Sequence, residues 1–238
     1  MEKSMTDTPK LTKRLSVAAS YVRSGAFLAD IGTDHAYIPI YLFKKGKIRG
    51  AVASDINEGP LMRARANLLR YEAEDGIILN LSNGLDGIER FSPDDILILG
   101  MGGELICDII SRAEFTKNRN IRLILQPMTH PEILRSFLSE NGYSITDEAI
   151  IEEDKIYQVI VATHTSESYS LSPMELLFGR LNLSQGGNAL ISLMEHQREI
   201  LKARQLGRRS SATGAENPHE DLLLSEIDKK LNDLTKEI

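Results

Sequence analysis

The chain has 238 residues, and its 28 basic and 34 acidic side chains give a formal net charge of −6 at pH 7. Hydrophobic residues make up 42% of it, as in a globular protein, and no apolar run reaches the roughly 18 residues that would indicate a membrane span. The single cysteine, Cys107, excludes an internal disulfide and a cysteine-based metal cluster, so a cytoplasmic location is expected. The negative charge argues against nucleic-acid binding through bulk charge but leaves room for a local basic face.

Helical and strand patterns alternate from about residue 11 to residue 165. The first helix, which begins near Leu11, is expected to bury one apolar face and to expose its basic residues, Arg14 and Arg23 among them. Strands are predicted at residues 27–31, 50–56, 77–81, 95–99, 122–126, 144–151 and 157–163. Further helices are predicted at residues 37–43, 60–71, 104–113 and 130–140.

This alternation of strands and helices predicts a mostly parallel sheet that is covered by helices on both faces. The last two strands follow each other without a helix between them, which indicates an antiparallel edge. The combination is the seven-stranded layout of the Rossmann-like class I methyltransferases, an α/β fold. We expect this domain to span residues 1–165.

The pattern changes after Thr165. A serine-rich hinge precedes a helix predicted at residues 173–183, which Gly186 and Gly187 end. Two segments with apolar residues at a 3-4 spacing follow, and a polar turn between Gly207 and Pro218 separates them. They predict an antiparallel helical hairpin with coiled-coil-like packing, in a second domain over residues 166–238.

A polar turn follows the first strand, where an open α/β sheet commonly holds a nucleotide-type ligand. Asp30 closes the strand, and Gly32 and Thr33 form the turn after it. The single glycine differs from the G-x-G-x-x-G pattern that cradles a pyrophosphate, so a dinucleotide is disfavoured. Because the Asp30 carboxylate suits a cationic ligand, S-adenosylmethionine is the first candidate for the cofactor.

The ends of the second and third strands carry further candidates for the cofactor site. Asp55, with Ile56 beside it, could accept hydrogen bonds from ribose hydroxyls, or Asp55 could be only an acid at a helix start. Asn83 and the backbone of Gly84 and Leu85 could contact adenine, or they could form a plain Asn-Gly turn.

The segment Gly100-Met101-Gly102-Gly103 follows the fourth strand. Many enzymes that methylate amino groups have an Asp/Asn-Pro-Pro-Tyr/Phe tetrapeptide there, whose side chain accepts from the target amine. This chain lacks that acceptor, so a ring nitrogen is the more fitting target. We expect Gly100 and Met101 to approach the cofactor and Gly102 and Gly103 the substrate base, the alternative being a glycine turn for packing.

Asp34 is the candidate catalytic residue, because methylation of a neutral ring nitrogen creates a positive charge that a carboxylate stabilises. The alternative is that Asp34 caps the following helix. His35 could orient Asp34 or contact the substrate, Tyr37 belongs to the same candidate substrate site, and a packing role for His35 is the alternative. No histidine cluster has the spacing of metal ligands, so no metal is expected.

Gln126 and Pro127, at the end of the fifth strand, could line a pocket for the substrate base or form an ordinary turn. Two basic clusters could bind phosphates, one with Arg208 and Arg209 near the tip of the hairpin and one over residues 44–49. The alternative for each cluster is a solvated charged face.

Several segments together resemble the bacterial tRNA (adenine-22-N1)-methyltransferase family. They are Leu11-Thr-Lys-Arg14-Leu15, Ala29-Asp-Ile-Gly-Thr-Asp-His-Ala-Tyr37, Asn83-Gly84-Leu85, Gly100-Met-Gly-Gly103 and Gln126-Pro127-Met128. The resemblance implies an S-adenosylmethionine-dependent enzyme that methylates N1 of adenine 22 in tRNA. It implies that Asp34 is the catalytic acid, that Asp30, Gly32, Asp55, Asn83 and Gly100 bind the cofactor, and that the C-terminal helices help to hold tRNA.

Two other classes of function remain open from the sequence. One is a methyltransferase that acts on another RNA, or on a small molecule or a protein. The basic hairpin and the missing substrate lid argue against the small molecule and the protein. The other is a non-catalytic scaffold that binds S-adenosylmethionine and RNA, against which Asp34 beside the cofactor turn argues. A monomer is the expected oligomeric state.

Overall fold

The computed structural model describes residues 7–210 and 217–236, with side chains as far as residue 208 in the first range. Its sheet has seven strands in the order β3-β2-β1-β4-β5-β7-β6. The strands are β1 Phe27–Ile31, β2 Gly50–Asp55, β3 Ile77–Leu81, β4 Asp95–Gly102, β5 Arg122–Thr129, β6 Tyr143–Glu152 and β7 Ile156–His164. Strands β1 to β5 are parallel, and β7 pairs antiparallel with both β5 and β6. The predicted layout is therefore confirmed.

Helices cover both faces of this sheet. They are α1 Lys13–Ser20, α2 Tyr37–Lys44, α3 Glu58–Arg70, α4 Gly103–Ser111 and α5 Pro131–Glu140. Alternate residues of the central strands enter opposite cores: Leu28 and Leu97 pack on the side of α1 to α3, whereas Ala29 and Ile96 pack on the side of α4 and α5. Burial on both faces explains why these strands are nearly continuous apolar runs.

Strands β4 and β5 extend further than their apolar runs. The sequence predicted ends at Leu99 and Gln126, whereas the structure carries the strands to Gly102 and Thr129. The pairing is irregular there, with register shifts between Leu99 and Met101 and again before Gly102. The first three residues of the glycine segment therefore lie in the last part of β4, and its fourth residue, Gly103, begins α4.

The first helix begins at Lys13, and its basic residues are not simply exposed. The backbone N–H of Lys13 donates to Glu153 Oε1 at 2.7 Å, so the β6–β7 turn caps this helix. The guanidinium of Arg23 donates to the buried carboxylate of Asp95 at 2.7 Å and to the Asp94 carbonyl at 2.6 Å. The Arg23 side chain is still 37% exposed, but its guanidinium is the cationic partner that the buried carboxylate at the start of β4 requires.

The C-terminal part consists of α6 Pro173–Phe178, α7 Arg180–Gln185, α8 Asn188–Ser210 and α9 Pro218–Leu234. The helix predicted at residues 173–183 is split, since Gly179 has a φ of +87° and a Cβ there would collide with the Glu148 carboxylate. Glu148 itself pairs with Arg135 at 2.8 Å, and both side chains are fully buried. This pair ties α6 and α7 to the sheet, because Arg135 and Glu148 also bond the backbone of Leu176 and Leu181.

Helices α8 and α9 form the predicted hairpin and share an apolar core with Phe178 and with Ile150 and Ile156 of the sheet edge. The turn predicted between Gly207 and Pro218 falls largely outside the described residues. In the ranges 7–210 and 217–236, no helix combines the length and the apolar character needed to cross a membrane.

Candidate cofactor and substrate site

The carboxyl ends of the parallel strands bring the candidate residues to one edge of the sheet. Asp30 and Asp55 lie at the ends of adjacent strands, Gly100 lies in the last part of β4, and Gln126 lies opposite Leu99 on β5. A cavity of about 380 Å³ opens at this edge. Its lining includes Lys10, Arg14, Asp30, Gly32, Thr33, Asp34, His35, Tyr37, Leu99 and Gly100.

Asp30 is buried at the base of this cavity. Burial raises the pKa of its carboxyl to about 6, and the nearby Asp55 carboxylate adds to the rise, while a hydrogen bond from Thr33 opposes it. A ligand that carries positive charge would remove part of the cost of holding this charge out of water. The site therefore fits a cationic cofactor such as a sulfonium compound.

The turn after Asp30 is held by the neighbouring strand. The backbone N–H groups of Gly32 and Thr33 both donate to the Ser54 carbonyl, at 2.8 and 2.9 Å. Gly32 has a φ of +75°, which L-residues with a side chain rarely adopt, and a Cβ there would meet the end of the Met101 side chain. Met101 therefore lies against this turn. The sequence predicts that Met101 is close to the cofactor.

Asp55 and the segment after β3 line the next part of the edge. Asp55 Oδ1 accepts from the Asn57 N–H at 2.8 Å, and Ile56 is 59% exposed. The side chain of Leu85 is buried, so only its backbone could contact a ligand, and Gly84 adopts a φ of +61° close to Ile109. Asn83 lies in the turn between them and β3.

Asp34 lies beyond the glycine turn with its carboxylate more than half exposed. The residue that caps α2 is Ala36, with a φ of 54° and no side-chain cap, so the helix-cap alternative for Asp34 is wrong. Its Oδ2 lies 3.1 Å from His35 Nε2, and its Oδ1 accepts from Arg63 Nε at 2.8 Å. The His35 ring stacks on Tyr37 with centroids 4.9 Å apart.

Arg63 is the residue of this cluster that sequence reasoning did not single out. It lies on the exposed side of α3, 29 positions from Asp34, among other arginines of the same helix. The helical pattern of the sequence does not indicate that Arg63 contacts Asp34, because the contact depends on how α3 packs beside the β1–α2 turn.

The four residues of the glycine segment have different surroundings. Gly100 has a φ of +76°, lines the cavity and has open space where a Cβ would stand. A Cβ on Gly102 would lie 3.2 Å from Thr129 Oγ1, and one on Gly103 would collide with the carbonyl of His130. Gly103 is buried, so the packing alternative accounts for this glycine, whereas Gly100 is free to meet a ligand.

Gln126 is fully buried on the same side of the sheet as Asp30. Its Oε1 accepts from Arg14 Nη1 at 2.9 Å, and the Arg14 guanidinium lies 5.3 Å from the Tyr157 ring centroid. The Gln126 Nε2 is buried without a hydrogen-bond partner, which is costly unless a ligand uses it. Pro127, which follows, is buried as well.

Several members of the two basic clusters have partners within the protein. Arg208 contacts Glu220 and lies 3.6 Å from Asp221, and Arg204 lies 3.7 Å from Glu220. The side chain of Arg209 lies outside the described residues. In the other cluster, Lys47 and Arg49 bond backbone carbonyls near the ends of α1 and β1. No metal-binding group of acidic, histidine or cysteine residues is found in the part of the chain that the structure describes.

The comparisons with known proteins agree with this geometry. A family model for a methyltransferase domain matches residues 11–160. The tRNA (adenine(22)-N(1))-methyltransferase of Bacillus subtilis is 38% identical over 173 residues, which cover 72% of this chain and 73% of that protein. The chain belongs to the tRNA (adenine-22-N1)-methyltransferase family.

Solved structures of this family match nearly the whole chain. A putative tRNA (m1A22) methyltransferase of Streptococcus pneumoniae in complex with S-adenosyl-L-methionine has a TM-score of 0.80 and 30% identity, with 94% of this chain and 99% of that one covered. The Mycoplasma capricolum enzyme in complex with S-adenosyl-homocysteine has a TM-score of 0.72 and 29% identity, with 95% and 97% covered. The tRNA (adenine-22-N1)-methyltransferase fold thus includes the C-terminal helices as well as the sheet.

Proposed function

We propose that this protein transfers a methyl group from S-adenosylmethionine to N1 of adenine 22 in tRNA. The observation that carries the proposal is that Asp34 lines the same cavity as Asp30 and Gly100, within a chain of this family. The cavity joins a buried carboxylate suited to a cationic cofactor with an exposed carboxylate suited to a cationic product.

The cofactor supplies an electrophilic methyl group on a sulfonium. Asp30 would face its positive charge, Asp55 would accept from its ribose hydroxyls, and Gly32, Thr33 and Ile56 would border it. Asn83 and the backbone of Gly84 and Leu85 would contact its adenine, while Gly100 and Met101 would let it approach β4. These assignments rest on the placement of the residues at one sheet edge.

Methylation at N1 does not require a general base to remove a proton from the attacking nitrogen. Adenine N1 has a lone pair and no proton at neutral pH, so it can form the new N–C bond directly while sulfur keeps the electrons of the broken bond. The ring becomes positively charged, and Asp34 stabilises this developing charge across the exposed mouth of the cavity. A carboxylate oxygen can also accept a hydrogen bond from the exocyclic amine and fix the base.

Gln126 and Arg14 are proposed to border the target base. The unpartnered Nε2 of Gln126 is a donor that a ring nitrogen of the base could satisfy, while Arg14 holds Oε1 at the other end of the amide. His35 and Tyr37 line the cavity, and Gly102 lies at the end of β4, two residues after Gly100. Because a methyl donor cannot enter a stacked helix, the adenine is expected to be flipped out of the tRNA elbow.

The tRNA is proposed to contact the helical hairpin as well, in a domain spanning residues 166–238 beside a catalytic domain spanning residues 1–165. At Arg208 a phosphate would compete with the Glu220 carboxylate. With tRNA as its substrate, the enzyme is expected in the cytoplasm, and we propose a monomer as the active form.

The test is incubation with S-adenosylmethionine and unmodified tRNA, followed by nucleoside mass spectrometry and mapping of the modified position. The expected result is 1-methyladenosine at position 22. Methylation elsewhere would contradict the assigned site, and no methylation with cofactor binding shown separately would favour the small-molecule or non-catalytic alternatives. A tRNA with guanosine at position 22 is the matched control and should remain unmodified.

A further inference from the structure

Asp34 is too exposed for packing to fix its orientation, yet the proposed chemistry needs its carboxylate in one place. Its side chain is 58% exposed, and it lies in a short segment without regular structure between β1 and α2. An aspartate in such a place samples several rotamers unless partners hold it. The structure supplies those partners from a neighbouring helix.

Two side chains of α3, one helical turn apart, donate hydrogen bonds to this segment. Arg63 donates from Nε at 2.8 Å and from Nη2 to the same oxygen, Asp34 Oδ1. Asn67, four residues later, donates from Nδ2 to the His35 carbonyl at 3.0 Å. Residues at this spacing share a helix face, so α3 holds the Asp34 side chain and the adjoining backbone at once.

The same helix also fixes His35, the other partner of Asp34. Asn67 Nδ2 also lies 3.5 Å from His35 Nδ1, and this donor suits the neutral tautomer of His35 in which Nδ1 accepts and Nε2 carries the proton. That proton then points at Asp34 Oδ2, which is 3.1 Å away. Arg63 occupies Oδ1 with two N–H groups, and His35 uses one lone pair of Oδ2. The second lone pair of Oδ2 remains to accept from a substrate base.

A stabilising role for the Asp34–Arg63 pair is the simplest alternative. Both side chains are more than half exposed, and exposed ion pairs of this kind contribute little to folding stability. The pair also connects two parts of the candidate site, the Asp34 segment and the end of β2. Asp55 is the last residue of β2, and α3, which carries Arg63, begins three residues after it. Orientation of Asp34 is therefore the better explanation of the contact.

We propose that Arg63 is a positioning residue, which orients the Asp34 carboxylate toward the target base and acts on the reaction only through it. The inference rests on the proposed function. It assigns a role in catalysis to α3, the helix that begins just after Asp55, the proposed ligand of the ribose hydroxyls.

The test compares Arg63→Ala, Arg63→Lys and Asp34→Asn, and the double variant Asp34→Asn with Arg63→Ala, in methylation of tRNA at saturating cofactor. Arg63→Ala is expected to lower kcat by about 10- to 100-fold, because displacement of a reacting group by about 1 Å costs up to that much. The cofactor Kd, measured by calorimetry, should stay within about twofold, and Arg63→Lys should recover part of kcat. In the Asp34→Asn background, Arg63→Ala should cause no further loss.

Arg65→Ala is the matched control, since it removes the same charge from an exposed position of the same helix. The proposal is overturned if Arg63→Ala has wild-type kcat, if its loss multiplies with that of Asp34→Asn, or if Arg65→Ala lowers activity equally. The last two results would mean that Arg63 attracts RNA through its charge. A wild-type enzyme that methylates no tRNA would instead refute the proposed function, and the role of Arg63 with it.

Discussion

Arg14 and Gln126 lie 112 positions apart in the sequence and meet beside the candidate active site, where Arg14 Nη1 donates to Gln126 Oε1 at 2.9 Å. The contact joins the N-terminal helix to the end of a central strand. It also leaves the Gln126 amide nitrogen, which is buried and has no partner, as the available donor of this side chain. Arg14 therefore orients the Gln126 amide, and this relationship leads to the first prediction.

Arg14→Ala is expected to lower kcat/KM for tRNA by about 10- to 100-fold, the range for loss of one charge-assisted hydrogen bond. The affinity for S-adenosylmethionine should change little, because the proposal assigns Arg14 to the target base and not to the cofactor. Steady-state kinetics and calorimetry measure the two effects. Lys13→Ala, which removes a charge from the adjacent position of α1, is the control, and an equal loss in that variant would contradict a specific role for Arg14.

Asp55→Ala should weaken cofactor binding, because the proposed pair of hydrogen bonds to ribose hydroxyls is lost. A Kd increase of about 10- to 100-fold is expected from bonds to a charged acceptor. Isothermal titration with S-adenosyl-homocysteine measures it without turnover. Glu58→Gln, which alters an exposed acid in the first turn of α3, should leave the Kd unchanged. An unaltered Kd in Asp55→Ala would place the ribose elsewhere.

Asp30 provides a prediction about pH and stability. Its pKa of about 6 in the folded protein lies above the value of 3.8 for an unperturbed carboxyl, so the folded state binds the proton more tightly. This contribution to stability is full below about pH 4 and is lost as the pH rises through 6. At pH 7 the folded protein therefore holds an unfavourable buried charge.

Asp30→Asn should remove that charge and stabilise the cofactor-free protein at pH 7 by at most about 3 kcal/mol, since one pKa unit corresponds to about 1.4 kcal/mol. It should also lose affinity for S-adenosylmethionine. Urea unfolding at pH 7 and pH 4.5 measures the first effect, and the gain should shrink at the lower pH. A variant that is less stable at pH 7 would show that the carboxylate is needed for folding.

The buried pair of Arg135 and Glu148 gives a prediction about the link between the sheet and the C-terminal helices. Arg135→Met should destabilise the protein by about 3–5 kcal/mol, because it leaves Glu148 buried without a cation. Chemical unfolding measures the loss. Lys117→Met breaks an exposed pair with Glu114 and should have little effect. A small change in Arg135→Met would mean that water or another cation reaches Glu148.

Most strands of the sheet could be predicted because their positions follow from local patterns. The apolar runs of β1, β2, β4 and β5 are buried on both faces. A strand of this kind is a nearly continuous hydrophobic segment whichever strands lie next to it, so it can be recognised from sequence. The split of the helix at Gly179 could not be predicted, since its cause is the Glu148 carboxylate on a distant strand. The same holds for Arg23, whose partner Asp95 lies 72 positions away.

The sequence by itself determined the class of fold and indicated the edge of the sheet for the candidate site, because periodicity and the polar residues and glycines at strand ends are local features. Asp30, Gly32, Asp34 and Gly100, which were singled out in this way, line one cavity. Only the tertiary structure decided which partners hold these residues: Arg63 on Asp34, Arg14 on Gln126, and acidic residues of α9 on the basic residues of α8. Such contacts join residues from different helices and strands, and the packing of those elements, which no local pattern encodes, sets their distance and direction.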